Sequence, residues 1–194
     1  MSVIQVADKK FETLISADQI RNRISEMAAE MNRDLLGQQP LFIPILNGSF
    51  VFAADLFREL DPGLDPEIHF IQLTSYQGTR STGHVRTSIG LEKNLTDRTV
   101  VILEDIVETG RTIFEFLPQV WSKNPKKVCI ASLLFKPAAL KVPVQIKYVG
   151  FTLPNDFLVG YGLDYQGQGR NLPSIYRLLD EVEGNQLSDP IRGK

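Results

Sequence analysis

The chain has 194 residues, 43% apolar and 23% charged, which excludes a disordered, collagenous or coiled-coil protein and favours one domain (1–194) with a core of its own. Its 21 Lys and Arg against 23 Asp and Glu leave a net charge of −2, so no global field draws nucleic acid or an anionic membrane, and an anionic ligand must be met locally. Cys129 is the single cysteine, residues 1–10 lack the basic-then-apolar order of a secretory signal, and no apolar run approaches the ~20 residues that span a bilayer, so a cytoplasmic protein is expected.

Ile20, Ile24, Met27, Met31 and Leu35 recur at three- and four-residue steps and predict a helix, opened by a capping box of Ser16 and Gln19 and stopped near Gly37. Residues 41–46 form a short apolar strand ending in Asn47-Gly48. Residues 49–60 read as a helix with Phe52, Leu56 and Leu60 on one side. A turn follows from Asp61 to Pro66, and residues 67–73 alternate as one strand with Ile68, Phe70 and Gln72 sharing a side. Residues 75–92 lose apolar periodicity. Residues 99–103 are an aliphatic strand, 104–111 a polar, glycine-bearing segment, and 112–121 a helix whose last part Pro118 puts in question. Residues 127–134 make a further buried strand, with shorter ones at 148–151, 157–159 and 175–178; the polar stretch 179–194 reads as a loosely held tail. Aliphatic runs separated by helices imply an α/β fold with a mostly parallel sheet flanked by helices, because a parallel crossover needs a connection of helix length.

In open parallel sheets ligands bind beyond the carboxyl ends of the strands. At one such end, Glu104 and Asp105 close a buried run, Glu108 follows, and Thr109-Gly110-Arg111-Thr112 leads into a helix. Backbone N–H groups at a helix start, a glycine, two hydroxyls and an arginine suit a phosphate. The adjacent carboxylates would repel that phosphate unless they address sugar hydroxyls or a hard divalent cation, so the set points to a ligand carrying phosphate and polyol together. Taken singly, each residue also fits a strand end or a helix cap. No G-x-x-x-x-G-K-[ST] occurs, and neither Gly160-Tyr161-Gly162 nor Gly167-Gln168-Gly169 continues to a third glycine, which removes the P-loop and dinucleotide readings.

Residues 100–112 resemble the phosphoribosyl-diphosphate motif of phosphoribosyltransferases. Leu46-Asn47-Gly48-Ser49-Phe50 resembles the family's pyrophosphate loop; Ser75-Tyr76 with Ser81-Thr82-Gly83 and Val85-Arg86 resembles its mobile lid; and residues 157–165, with Gly160-Tyr161-Gly162-Leu163-Asp164, are similar to the purine segment of the hypoxanthine-guanine branch. The resemblance, over residues 41–178, implies the family's sheet with a small hood built from terminal segments. It also implies transfer of ribose 5-phosphate from phosphoribosyl diphosphate to N9 of hypoxanthine or guanine, with inversion at C1, release of pyrophosphate and Mg2+ as cofactor.

The same resemblance assigns residues. Glu104, Asp105, Val107, Thr109, Gly110, Arg111 and Thr112 would hold the phosphoribosyl group, with Glu104 and Asp105 reaching the ribose hydroxyls or the metal. Leu46, Asn47 and Gly48 would cradle pyrophosphate on backbone N–H groups, with a non-proline cis peptide at Leu46-Asn47, and Arg170 would assist; Asn47 stands where several relatives carry lysine. Lys136 would donate to the purine O6, Phe157 would stack on the base, and Leu158 would contribute its main chain. Asp164 would hold a second magnesium through water. Alone, Lys136 reads as a surface lysine and Phe157 as core. Neither His69 nor His84 has a ligand-like partner at short spacing.

Glu108 departs from the family, which mostly carries Asp there, facing purine N7 as general acid/base; the expectation is that Glu108 still reaches N7 through a bent rotamer. An oxocarbenium-like transition state must be shielded from water, and Ser75 and Tyr76 are expected to cover the leaving pyrophosphate. Partners are then phosphoribosyl diphosphate and a 6-oxopurine, without nucleic acid or membrane, in a homodimer or homotetramer. The alternatives are transfer to another base, and a non-catalytic phosphoribosyl-diphosphate sensor regulating transcription, which the net charge of −2 disfavours.

Overall fold

The computed structural model describes residues 2–74 and 86–179; the lid residues Ser75 and Tyr76, His84 and the tail from 180 onward lie outside them. The chain opens with two strands that sequence periodicity does not reveal, β1 (Val3–Val6) and β2 (Lys9–Ile15). In β2 only Phe11 and Ile15 are buried, with Thr13 between them half-buried, so no apolar alternation marks the strand. Helix α1 (Ala17–Asp34) carries the expected capping box, with Ser16 Oγ accepting from the Gln19 N–H and the Gln19 side chain accepting from the Ser16 N–H. Its buried stripe is Ile20, Ile24, Met27, Ala28 and Met31.

Strand β3 (Leu41–Leu46) and helix α2 (Phe50–Glu59) follow as expected. Residues 67–73 are not one strand: β4 (Glu67–Ile68) and β5 (Ile71–Thr74) flank a break at His69 and Phe70. The apolar phase slips there, for Ile71 is fully buried while Phe70 is 37% exposed. Strand β6 (Arg86–Ile89) lies within the stretch without periodicity and pairs antiparallel with β5.

Strand β7 (Thr99–Val107) is four residues longer than its aliphatic run, because Glu104, Ile106 and Val107 keep their register with Ser132, Leu134 and Phe135 on the next strand. Helix α3 (Arg111–Trp121) runs through Pro118, which sits on the exposed side where the lost backbone hydrogen bond costs least. Strands β8 (Lys127–Phe135), β9 (Tyr148–Thr152), β10 (Leu158–Val159) and β11 (Ile175–Leu178) complete the fold.

The main sheet has the order β6-β5-β3-β7-β8-β9, with β4 also pairing β3; all its pairs are parallel except β5 with β6. Side-chain alternation on β7 sends Val101 and Leu103 into the core beneath α1 and α2, and Val100 and Ile102 into the core beneath α3. The hood is a four-stranded antiparallel sheet, β1-β2-β11-β10, closing on Val6, Phe11, Val159 and Tyr176. It sets residues 157–178 over the carboxyl ends of β3, β7 and β8.

Candidate active site

Because β7 continues through Val107, the acid pair lies inside the strand and alternation points the two carboxylates to opposite faces. Glu104, only 6% exposed, lines a cavity of about 150 Å³ on the α3 side together with Glu108, Thr109, Gly110 and Thr112. Gly110 caps α3 with φ +76, and a Cβ there would press on Val144, Leu140 and Val142; Thr109 Oγ1 accepts from the Arg111 N–H at 3.4 Å. The opening N–H groups of α3 have no carbonyl within the helix to pair with and face an anion-sized space. Arg111 is exposed, and Val107 is buried in the core, leaving its main chain to the site: its carbonyl accepts the Lys136 N–H at 3.0 Å.

Asp105 turns to the other face and rests on the turn after β3. A Cβ on Gly48 would land on the Asp105 carboxylate, so glycine is required for that approach. The Leu46-Asn47 peptide is cis, as expected. Asn47 is exposed and accepts from Gln72 Nε2 at 3.4 Å, while Ser49 Oγ, buried, donates to the Ile45 carbonyl at 2.6 Å. Burial and the neighbouring Asp105 charge push the Glu104 carboxyl well above the usual carboxylate range. Burial also raises Asp105, to about 6, against the Ile106 and Asp105 backbone N–H groups and the Arg170 guanidinium, which favour its ionised form. Carboxylate oxygens are the hard donors a divalent cation takes, and either carboxylate, together with ligand oxygens and water, would fit magnesium on its own face. Among the described residues no cluster of three His, Cys, Asp or Glu is placed to hold a metal by itself.

The hood supplies the third wall. Phe157 is 47% exposed, edge-on to Tyr165 with ring centroids 5.7 Å apart and 6.3 Å from Phe11, so its ring is backed by aromatics on one side and open on the other. Leu158 is buried. Lys136 follows β8 but is not a surface lysine: it is 2% exposed, its Nζ donates to the Asp156 carbonyl at 2.6 Å and pairs with Glu108. Asp164 is bound by Arg170 at 2.5 Å and accepts from the Gly167 N–H at 2.8 Å; Arg170 also donates to the Gly162 carbonyl at 2.7 Å. All expected site residues in the described segments therefore meet at one sheet edge, and Arg170 and Asp164 meet each other.

A phosphoribosyl transferase domain model matches residues 16–166, and a hypoxanthine-guanine phosphoribosyltransferase of Staphylococcus aureus strain N315 is 38% identical over 175 residues, 90% of this chain and 97% of that protein. This chain belongs to the hypoxanthine-guanine phosphoribosyltransferase family. The bifunctional protein TilS/HprT of Listeria innocua is 38% identical over 172 residues, 88% of this chain, which spans about a quarter (26%) of that protein's length. Among solved structures, a hypoxanthine-guanine phosphoribosyltransferase of Bacillus anthracis aligns with a TM-score of 0.81 at 38% identity, covering 87% of this chain and 98% of that one.

Three contacts that build this site are not given by any motif, although Tyr161 and Gly162 belong to the glycine-bearing segment 160–164. Tyr161 Oη donates to Asp55 Oδ2 at 2.5 Å, tying the hood to α2; burial and the Asp55 carboxylate push the phenol up. Gly162, at φ +99, abuts the Gly48 carbonyl, where a Cβ would collide. Asp156 enters through its main chain. None is signalled by local pattern, since each partner lies far along the sequence.

Proposed function

We propose that the chain, acting as one domain over 1–194, transfers the 5-phosphoribosyl group of phosphoribosyl diphosphate to N9 of a 6-oxopurine, hypoxanthine or guanine, and releases pyrophosphate. The supporting observation is the meeting, at one sheet edge, of an anion-sized cavity at the α3 start, the Gly48 turn, and an open aromatic face beside a buried lysine.

On this reading Thr109, Gly110, Arg111 and Thr112 bind the 5-phosphate through main-chain N–H groups and hydroxyls, while Leu46, Asn47 and Gly48 offer main-chain donors to the pyrophosphate. Glu104 and Asp105 orient the ribose hydroxyls and would hold magnesium, with Asp164 reaching a second ion through water. Magnesium, when bound, neutralises charge on the diphosphate. Phe157 stacks on the base, the Leu158 main chain reads its edge, and Lys136 donates to O6: a carbonyl accepts from an ammonium and an amino group does not, so oxopurines are chosen over adenine. N9 displaces the pyrophosphate from C1 with inversion, and the N7 proton passes to Glu108. Ser75 and Tyr76 close over the leaving group, and Arg170 steadies it.

Neither a membrane nor nucleic acid has a part in this function, which we place in the cytoplasm in a homodimer or homotetramer. No helix among the described residues is long and apolar enough to cross a membrane. The test is incubation with phosphoribosyl diphosphate, magnesium and each purine in turn, following the nucleotide product. Formation of IMP and GMP but not AMP is expected; donor binding without any nucleotide would favour the sensor reading instead.

A further inference from the structure

Asn47-Gly48 is the one Asn-Gly pair in the sequence, and it stands in the turn between β3 and α2. An asparagine before glycine carries a chemistry of its own: the backbone nitrogen that follows can attack the side-chain amide, and glycine, without a Cβ, leaves that nitrogen unhindered. Glycine is fixed here, because a Cβ on Gly48 would land on the Asp105 carboxylate. The reactive pair is therefore made by the asparagine, at a place where several relatives carry lysine.

The turn leaves both reacting groups open. Residues 47–49 belong to neither the strand nor the helix, so no regular ladder of hydrogen bonds holds them. Ser49 Oγ donates to the Ile45 carbonyl at 2.6 Å and the Phe50 N–H to the Asn47 carbonyl at 3.4 Å, which fixes the far side of the turn. Asn47 is exposed, and its Oδ1 accepts from Gln72 Nε2 at 3.4 Å; that oxygen is where negative charge gathers when the amide carbon is attacked. Among the described residues nothing accepts from the Asn47 side-chain N–H groups or from the Gly48 N–H. The same Gly48 N–H is one of the donors that pyrophosphate takes in the transfer reading.

We propose that Asn47-Gly48 is a self-modifying site, with water as its co-reactant and bound pyrophosphate or phosphoribosyl diphosphate as its protector. The Gly48 nitrogen gives its proton to solvent base and bonds to the Asn47 side-chain carbon; the bond from that carbon to the amide nitrogen breaks and ammonia leaves. Water then opens the ring at one carbonyl or the other, leaving aspartate or isoaspartate at position 47. One water is consumed for each ammonia released, with no oxidant or reductant. Either product puts a carboxylate on a turn that must receive an anion, and isoaspartate also lengthens a main chain that has no slack against Asp105. The protection rests on the transfer reading, since a filled turn engages the attacking nitrogen. Enzyme at work is thereby spared, and enzyme without its donor loses activity.

The test holds the full chain at mildly alkaline pH, with and without inorganic pyrophosphate and magnesium. Samples are assayed for nucleotide formation and for the mass of the tryptic peptide 34–58, in which Asn47 is the one asparagine. Conversion of amide to acid in that peptide is expected, with activity falling in step. At ten times its dissociation constant, pyrophosphate should slow the conversion about tenfold, in proportion to the empty fraction. Asn47→Gln, whose longer amide must close a larger ring, should stay unconverted and keep its own starting activity. Asn47→Asp, the product itself, should raise the KM for phosphoribosyl diphosphate about fivefold or more, the effect of one like charge at about 4 Å even in water. An unchanged peptide mass, an equal rate with pyrophosphate bound, an equal activity loss in Asn47→Gln, or a wild-type donor KM in Asn47→Asp would each overturn the proposal. Wild-type protein that makes no nucleotide from hypoxanthine or guanine would instead sink the transfer reading, and the peptide mass would still decide the modification.

Discussion

Replacing Gly162 with alanine measures how tightly the hood is seated on the pyrophosphate turn. Gly162 has φ +99, and a Cβ built there falls on the carbonyl oxygen of Gly48, a backbone atom that cannot swing aside. Gly167 serves as the internal control: its φ is +78, but a Cβ there meets nothing within 4 Å. An L side chain forced into a positive-φ backbone costs about 1–3 kcal/mol, which both variants bear. Only Gly162→Ala adds the overpacking cost, about 1–3 kcal/mol more. For a chain of this length each kcal/mol lowers Tm by about 2–4 °C, so with about 2 kcal/mol for each cost we expect losses of roughly 8–16 °C for Gly162→Ala and 4–8 °C for Gly167→Ala by thermal unfolding. Gly48 also abuts Asp105, so the displaced turn should raise the KM for phosphoribosyl diphosphate in Gly162→Ala while leaving that constant unchanged in Gly167→Ala. Equal Tm losses in the two variants, or an unaltered donor KM in the first, would refute the claim that hood and turn are in hard contact.

Phe157→Ala removes a half-exposed ring, so Tm should shift by less than about 2 °C while the KM for hypoxanthine rises about 10- to 100-fold, the usual loss when a base forfeits an aromatic stack; an unchanged KM in steady-state assays would take the ring out of the base cleft. Asp105 titrates near 3.8 when unperturbed and is held at about 6 by burial, so the folded state binds the extra proton between those values and wild-type protein loses stability as pH rises through that window. Asp105→Asn escapes this loss: its Tm relative to wild type should be higher at pH 7.5 than at pH 3.5 even though transfer is lost, and a pH-independent difference would contradict the assignment. If magnesium is held by Glu104 and Asp105 as proposed, it competes with the protons that burial favours on them, so half-maximal activation should require more magnesium at pH 5.5 than at pH 7.5, and a titration in weak buffer should show proton release on binding; identical activation curves at the two pH values would argue against these carboxylates as ligands.

The parts of the fold legible in the sequence are those whose cause is local. The capping box of α1, the apolar run of β3 and the glycine before α3 each declare themselves within a few residues. Where burial depends on distant partners, local pattern fails: β2 hides its two buried side chains among lysines and glutamate, and the break between β4 and β5 shifts the apolar phase so that Ile71, not Phe70, is enclosed. The run at 99–103 understates β7 for a related reason, since polar Glu104 stays paired with Ser132, and Ile106 and Val107 beyond it stay paired too, through backbone bonds that hydrophobicity does not report. In the site, the motif residues were visible because glycine, threonine and paired acids have few other reasons to stand together. The Glu108 pairing of Lys136, the Tyr161 bond to Asp55 and the contact of Gly162 with Gly48 were not, because each joins side chains or turns that only the tertiary fold brings within reach.

Placing adjacent carboxylates within a strand makes their duties a matter of parity. One faces the cavity at the α3 start and the other the turn before α2, so on the proposed transfer reading a donor molecule lying across that edge would meet neighbours in sequence on both faces of the sheet. A single-residue insertion or deletion upstream in β7 would exchange the two addresses although both carboxylates remained adjacent in the sequence.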